Sequence, residues 1–513
     1  MTTAVETPPT AAATTTQYSR RGRWIDDWEP DDEAFWQAGG KRIARKNLAL
    51  SIFAEHLGFS IWVLWTIVVI NLANAGFTLS LSEQFLLIAL PNLVGSTLRI
   101  PYTFAVPKFG GRAWTGVSAS LLLIPVCLLA LLVPSGWLLD QSHATQMWVL
   151  ALCAATAGFG DGNFSSSMAN ISFFYPEKHK GAALGLNAAG GNLGVAVAQL
   201  LVPLVIIIGV PAAAVKLPVH EVNLAYAGLM WLPFIVLAAV LAWRWMDSIS
   251  DAKADPGSYT KSLRHGQTWV MSLLYIGTFG SFIGYAFALP LVIKNTFPEF
   301  LAAHPFIATY LAGLGFVGAL IGSVARPLGG WLSDRLGGAR VTLAVFLGEA
   351  VFTLTAIMGV NEHSFPIFFG SFMLIFLLAG MGNGSTYRMI PAIFSELGRR
   401  EASEKGLDVK RAVLDFKHQA AAVIGIAGAI GAFGGFLIQV IFRQASLGVS
   451  AAVKAAEAPA EKLAIAQAQA DWSIPALGVF LIAYLVFAAM TWFFYLRTSF
   501  ATDKVASLAH ASV

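Results

Sequence analysis

Twelve stretches of the chain are apolar over about 20 residues each, the length needed to cross a hydrocarbon core, and polar breaks separate them. They begin near Leu48, Gln84, Trp114, Met147, Gly181, Leu224, Trp269, Ala308, Val341, Pro366, Gln419 and Ile474. Lipid gives backbone groups no hydrogen-bond partner outside their own segment, so each stretch is predicted to be a helix. The pattern therefore predicts an all-α membrane protein with twelve transmembrane helices.

The breaks alternate in charge. One set carries Arg20, Arg21, Arg23, Lys41, Arg42, Arg45 and Lys46 ahead of the first span, then Lys108 with Arg112, Lys178 with Lys180, and Arg244 through Arg264. It continues with Arg335 and Arg340, the run Arg399 to Lys417, and Arg497 with Lys504. The other set holds only Lys216, Lys294, Arg443, Lys454 and Lys462. Positive loops stay on the cytoplasmic side, so both termini are expected there, in agreement with an even number of crossings. The expected location is a bacterial cytoplasmic (inner) membrane, crossed many times. The polar tail Met1 to Asn47 does not resemble a cleavable signal, and the first span is expected to act as its own.

Composition narrows the function classes. The chain is 56% hydrophobic and 12% charged over 513 residues, against about 25% charged in a soluble protein. A net charge of +4 gives no support to a nucleic-acid partner. Cys127 and Cys153 both sit in apolar spans and read as core packing, without a disulfide framework or metal-ligand spacing. No phosphate-cradling Gly-Lys-Ser/Thr pattern occurs, which argues against an ATP-driven pump. Neither a nucleophile–base pair nor a metal constellation stands out, so an enzyme is not expected, and no cofactor or metal is called for.

The longest mid-chain break, Asp247 to Gln267, divides six spans from six. The expected organisation is a tail over 1–47, a six-helix bundle over 48–246, a linker over 247–267, a second six-helix bundle over 268–497, and a tail over 498–513. A weak repeat supports the division. Arg99, Pro101 and Gly110-Gly111-Arg112 are matched by Arg326, Pro327, Gly337-Gly338 and Arg340, with the arginines 227 residues apart. Gly158-Phe-Gly-Asp-Gly-Asn163 is matched by Gly380-Met-Gly-Asn-Gly384 at an offset of 222.

An arginine at the bilayer centre costs about 2.5 to 3.5 kcal/mol on insertion scales, so Arg99 and Arg326 demand an explanation. If the halves face each other, both guanidiniums point into one central cavity and offer paired N–H donors to a planar oxyanion. The bland alternative is that each snorkels or pairs with a helix carboxylate. Asn163, Ser166, Ser167 and Asn170 fall on one helical face and either bind substrate or join helices. Asn187, amid Gly185, Gly190, Gly191 and Gly194, is placed to reach a cavity or to bond a neighbouring helix. The glycines, with Gly160 and Gly162 in the first half and Gly382 and Gly384 in the second, read first as close-packing positions. By spacing alone Phe59, Phe159, Tyr275 and Phe279 read as core, although Tyr275 and Phe279 share a face.

Three stretches carry a resemblance. Gly329-Gly-Trp-Leu-Ser-Asp-Arg-Leu-Gly-Gly-Ala-Arg340 resembles the loop signature of the major facilitator superfamily, which puts any gating role on Asp334 and Arg335, because the first-half copy lacks that pair. Gly160-Asp-Gly-Asn-Phe-Ser-Ser-Ser-Met-Ala-Asn-Ile-Ser-Phe-Phe-Tyr-Pro176, running on through Asn187 to Gly194, resembles the nitrate signature of the nitrate/nitrite porters (NarK-like) within that superfamily. Gly380 to Pro391 resembles their second signature. The resemblance implies that Arg99 and Arg326 bind nitrate or nitrite, that Asn187 contacts the substrate, and that Phe159, Tyr275, Phe279 and Phe59 line the cavity. Asp161 stands where small residues are usual in that family and adds a negative charge near the site.

Coupling is expected, because nitrate uptake into a negative-inside cell works against ~2.3 kcal/mol per charge per 100 mV. Glu55 and His56, inside the first span, supply groups that carry protons and resemble the proton-coupled branch of the family. Arg388, where other members have an uncharged residue, points the same way. The reading is nitrate/proton symport by a monomer in the lipid bilayer, with nitrate/nitrite antiport as the alternative. A membrane anion sensor without transport is the different-class alternative, and counterflow of labelled nitrate separates it.

Overall fold

A computed structural model describes residues 23–210, 221–250, 252, 256–455, 470–498 and 508–509. The charges assigned to Arg20, Arg21, Lys216, Lys462 and Lys504, with most of the C-terminal tail, lie outside the described residues. The chain crosses twelve times. The first helix is Lys41–Val63, continued after one turn residue by Trp65–Asn71. The second is Leu81–Phe109, the third Gly111–Leu132, the fifth Glu177–Val205 and the sixth Ala225–Trp245. In the second half they are Gly266–Thr296, Gly315–Leu336, Gly338–Asn361, Phe365–Lys405, Val409–Ala455 and Asp471–Leu496, the seventh to the twelfth.

The fourth crossing is in two pieces, His143–Thr156 and Phe159–Phe174, and it is the one that falls short of the eleven long apolar helices. The interruption lies where the chain touches the second helix. A Cβ on Gly158 would stand 2.7 Å from the Gly95 nitrogen and 2.9 Å from the Pro91 carbonyl, so only glycine permits this approach.

The internal repeat has a structural counterpart. Gly110 ends the second helix with φ 83° and Gly337 ends the eighth with φ 90°, each amide bonding back into the last turn. That backbone region is open to glycine without steric cost. Each is followed at once by a new helix starting on glycine, Gly111 or Gly338.

The polar stretch before the first span is folded onto the linker. Trp24–Ile25 pairs in parallel with Ser248–Ile249. Buried Asp247 accepts from Arg23 at 2.9 Å, Lys46 at 2.5 Å and Asn47 Nδ2 at 2.9 Å. These contacts mark the linker end of the bundle.

At the opposite end the two halves press together. Phe85 of the second helix stacks on Phe442 of the eleventh at 5.6 Å, and both meet Trp472. Trp62 packs on Phe287 at 5.0 Å. Gln199 Nε2 donates to the Ala286 carbonyl at 2.7 Å, and Lys294 donates to the Ile70 carbonyl. Buried aromatic pairs of this kind contribute about 0.5–1.5 kcal/mol each beyond the area they cover, so the seam is firmly shut on that side.

Candidate functional site

Arg99 and Arg326 occupy equivalent turns: each lies ten residues before the last residue of its helix, Phe109 or Leu336. A rise of 1.5 Å per residue puts both about 15 Å from the linker-end terminus of their helices. Both are buried, at 0% and 5% exposure. A single ring lies beside both, Phe164, whose centroid is 4.4 Å from the Arg99 guanidinium carbon and 6.0 Å from that of Arg326. The sequence-matched arginines of the two halves therefore meet at one place.

Their surroundings differ. Arg99 Nε donates to Asp161 Oδ2 at 3.0 Å and Nη2 to Oδ1 at 2.6 Å, while Nη1 donates across the seam to the Gly428 carbonyl at 2.8 Å. Asp161 is fully buried, and it fits because the facing residue is Gly95, where a Cβ would come within 2.6 Å of the Asp161 Cβ. Among the described residues Arg326 has no carboxylate partner. Its Nη2 donates weakly to the Tyr275 hydroxyl at 3.4 Å, and its Nη1 is buried without a partner. Phe279 lies 4.8 Å from the Arg99 guanidinium carbon and Tyr387 lies 5.6 Å from that of Arg326.

Tyr275 and Phe279 stack at 5.5 Å and 16° across a widened helical turn, Ile276–Gly280. The Tyr275 hydroxyl donates to Asn383 Oδ1 at 2.6 Å, which aims its lone pairs towards Arg326. Gly431 makes room for the Tyr275 ring, since a Cβ there would lie 2.4 Å from it. Phe59 stands one layer back, against Phe164 at 5.9 Å and Trp62 at 5.3 Å. Phe159 opens the second piece of the fourth helix, half-buried, and makes none of the ring contacts around the arginines among the described residues.

Asn187 binds neither arginine. Its amide donates to Glu55 Oε2 and to Ser167 Oγ, both at 2.6 Å. Ser167 donates to the same carboxylate oxygen, and Glu55 Oε1 is buried without a partner among the described residues. Arg326 and Arg99 both act on Glu55 electrostatically. His56 turns away from this group: its Nδ1 meets the Gly190 carbonyl of the fifth helix at 3.0 Å. Glu55 and His56 are thus neighbours in sequence with separate surroundings.

The signature glycines set the helix crossings that hold this arrangement. A Cβ on Gly160 would sit 2.0 Å from the Gly58 carbonyl, on Gly162 2.9 Å from Tyr102, on Gly191 2.5 Å from Glu55 Oε1, and on Gly194 2.3 Å from the His56 carbonyl. In the second half Gly382 abuts Thr278, and a Cβ on Gly384 would stand 2.2 Å from the Arg326 carbonyl. The polar face of the fourth helix divides its labour. Asn163 accepts from Ser118 of the third helix at 2.9 Å, an interhelical tie, whereas Ser167 serves Glu55.

Arg388 is placed elsewhere. It is 62% exposed and its Nε donates to Asp334 at 2.6 Å, while Arg335 stacks over Trp331 at 4.0 Å. All three belong to the linker end of the second half, away from the buried group.

Sequence reasoning gave no site role to Phe164 and Asn383, which it met only inside the signatures, took Gly428 as a packing glycine, and left open whether Asp161 is buried. A signal for Phe164 was present: Asp161 and Phe164 are spaced by three and share a helix face, so the ring follows the carboxylate to Arg99.

The major facilitator superfamily model matches residues 48–438. The nitrate/nitrite transporter NarU of Escherichia coli (strain K12) is 37% identical over 94% of this chain and 99% of its own. The probable nitrate/nitrite antiporter NarK2 of Thermus thermophilus is 35% identical over 82% of this chain and 90% of its own. Among solved structures, a bacterial homologue of the human lysosomal transporter Spinster, inward-facing and occupied, superposes with a TM-score of 0.58 at 16% identity, covering 87% of this chain and 95% of that one; this likeness concerns the fold alone. The chain belongs to the major facilitator superfamily and, within it, to the nitrate/nitrite porter family.

Proposed function

We propose that this protein carries nitrate, and nitrite, across a bacterial inner membrane by alternating access, with the anion held by Arg326 and Arg99 and with nitrate moving together with protons. Both termini are cytoplasmic in this reading, the halves 48–246 and 268–497 rock against each other, and a monomer suffices. The observation that carries it is the Nη1 of Arg326, buried and unpartnered among the described residues, on a guanidinium that lies beside Phe164 and Tyr387. A planar oxyanion satisfies such a donor, because its lone pairs lie in the plane that the guanidinium fork presents. An unmade hydrogen bond to a buried charged group is costly, so substrate binding relieves a cost the empty site carries.

Glu55 supports symport over exchange. It is a buried carboxyl held by Ser167 and Asn187, within the fields of both arginines, where gaining or losing a proton changes the charge felt by the anion. The family relatives bear names for transport of nitrate and nitrite, one of them as an antiporter.

Uptake of nitrate into proteoliposomes, with internal nitrite and an inward proton gradient varied independently, tests both parts. The gradient alone is expected to drive uptake in the wild type, and Glu55→Gln is expected to lower the number of protons that accompany each nitrate. Uptake that needs internal nitrite and ignores the gradient would establish exchange instead. No uptake or counterflow under any condition would leave a binding protein without transport.

A further inference from the structure

Arg99 is matched to Arg326 in position but not in charge. Both oxygens of Asp161 fill its Nε and Nη2 side at 3.0 and 2.6 Å, and Gly428 engages its third nitrogen at 2.8 Å. While Asp161 is ionised, the pair has no net charge, and the Nε–Nη2 fork is already taken by an anion that the protein itself supplies. We propose that Asp161 is a tethered competitor of the substrate: nitrate gains Arg99 only when Asp161 takes up a proton and lets the guanidinium go, which makes Asp161 a second proton-carrying carboxylate beside Glu55. This rests on the anion-transport reading above.

Three features of the site support it. The carboxylate is fully buried and seated in a space kept open by Gly95, one turn before Arg99 on the same helix. Ionised, it needs the guanidinium, because a lone buried charge is strongly unfavourable; protonated, it is neutral and can leave. The charged group that meets it is Arg99 of the second helix; from the other helices packed on this piece, the first brings Glu55, held by Ser167 and Asn187, the third Ser118, bonded to Asn163, the fifth Asn187, and the eleventh the Gly428 carbonyl on Arg99, while Arg326 of the eighth lies across the Phe164 ring from Arg99. The central charges are therefore two arginines and two carboxyls. The empty site with both carboxyls ionised has no net charge, and the nitrate-bound site with both protonated has a net charge of +1. The step balances simply: the proton comes from water on the side where nitrate enters, is held on the Asp161 carboxyl while nitrate takes the N–H donors, and is returned to water on the other side as the Asp161–Arg99 pair re-forms and nitrate leaves. If both carboxyls cycle, two protons accompany each nitrate, and the membrane potential drives the anion inward.

The test is equilibrium nitrate binding to the purified full chain in detergent, by calorimetry in buffers of different ionisation heat, which counts protons taken up per nitrate bound. In Glu55→Gln we expect close to one proton per nitrate, and an affinity falling up to tenfold for each unit of rising pH above the titration of Asp161. In Glu55→Gln/Asp161→Asn we expect none, with tighter binding than in Glu55→Gln at alkaline pH. A Glu55→Gln protein that binds nitrate with no proton uptake and no pH dependence overturns the proposal, as does a double variant that keeps both. Should Asp161→Asn fail to fold, the Glu55→Gln measurement decides alone. Failure of the wild type to bind nitrate would instead overturn the anion-transport reading, so the two failures are distinguishable.

Discussion

The two halves present the same arginine on the same turn and treat it in opposite ways. Arg99 is closed into a bidentate pair with Asp161 and tied across the seam to Gly428, whereas Arg326 keeps a buried donor without a partner and leans on the Tyr275 hydroxyl at 3.4 Å. Internal duplication supplied equal scaffolds, and one substituent, the carboxylate at 161, made the copies unequal. Arg99 is in this arrangement as much part of the fold as of the site; Arg326 is held by little else and is available for ligand.

The largest expected contrast comes from removing each guanidinium. Arg99→Ala leaves Asp161 buried and unpaired, which typically costs about 3–5 kcal/mol, so its thermal unfolding in detergent is expected at clearly lower temperature. Arg326→Ala is expected to unfold near the wild-type temperature while losing nitrate uptake. Equal destabilisation of both would erase the asymmetry, and Arg99→Ala/Asp161→Ala should recover part of the stability but not the transport.

Next in size are the rings. Phe164→Ala removes a face from both guanidiniums, and cation–π contacts in desolvated sites are worth about 2 kcal/mol; nitrate affinity is expected to fall at least tenfold. Phe159→Ala is expected to change it far less. Measuring both by competition with nitrite orders the two positions.

A smaller effect is expected for Tyr275→Phe, which deletes the hydroxyl shared by Arg326 and Asn383. A neutral hydrogen bond contributes about 0.5–1.5 kcal/mol, so a roughly two- to tenfold weaker apparent affinity is expected, with the pH profile of uptake unchanged. Smallest of all is Arg388→Gln. Its ion pair with Asp334 is exposed at both partners, and such pairs contribute little; proton-driven uptake is expected to keep its pH dependence.

What could be read beforehand follows the same physics. A charge inside an apolar span is conspicuous, so Arg99, Arg326 and Glu55 stood out, and the twelve-helix fold followed from span length alone. The partner of Arg99 did not, because the pairing needs the second and fourth helices to cross at Gly95, and the two residues lie 62 positions apart in sequence. Phe159 and Phe164 stand in the same piece of the fourth helix, and a five-residue step turns a helical side chain by about 140°, so the ring that the resemblance implied and the ring that meets the arginines point different ways. Glu55 and His56 read as a pair because they are adjacent, yet adjacent helical residues point about 100° apart, one to Ser167 and Asn187, the other to the fifth-helix backbone. Arg388 drew attention because other members have an uncharged residue there, but it lies on the exposed linker end of the tenth helix, paired with Asp334.

The short parallel pairing of Trp24–Ile25 with Ser248–Ile249, with Asp247 gathering Arg23, Lys46 and Asn47, has a consequence for how the chain is made. Residues near the beginning wait for partners that leave the ribosome two hundred or more residues later. The amino-terminal segment cannot dock until the sixth crossing has been inserted, and the closed latch is therefore a physical record that the first half reached the membrane with its ends on the same side.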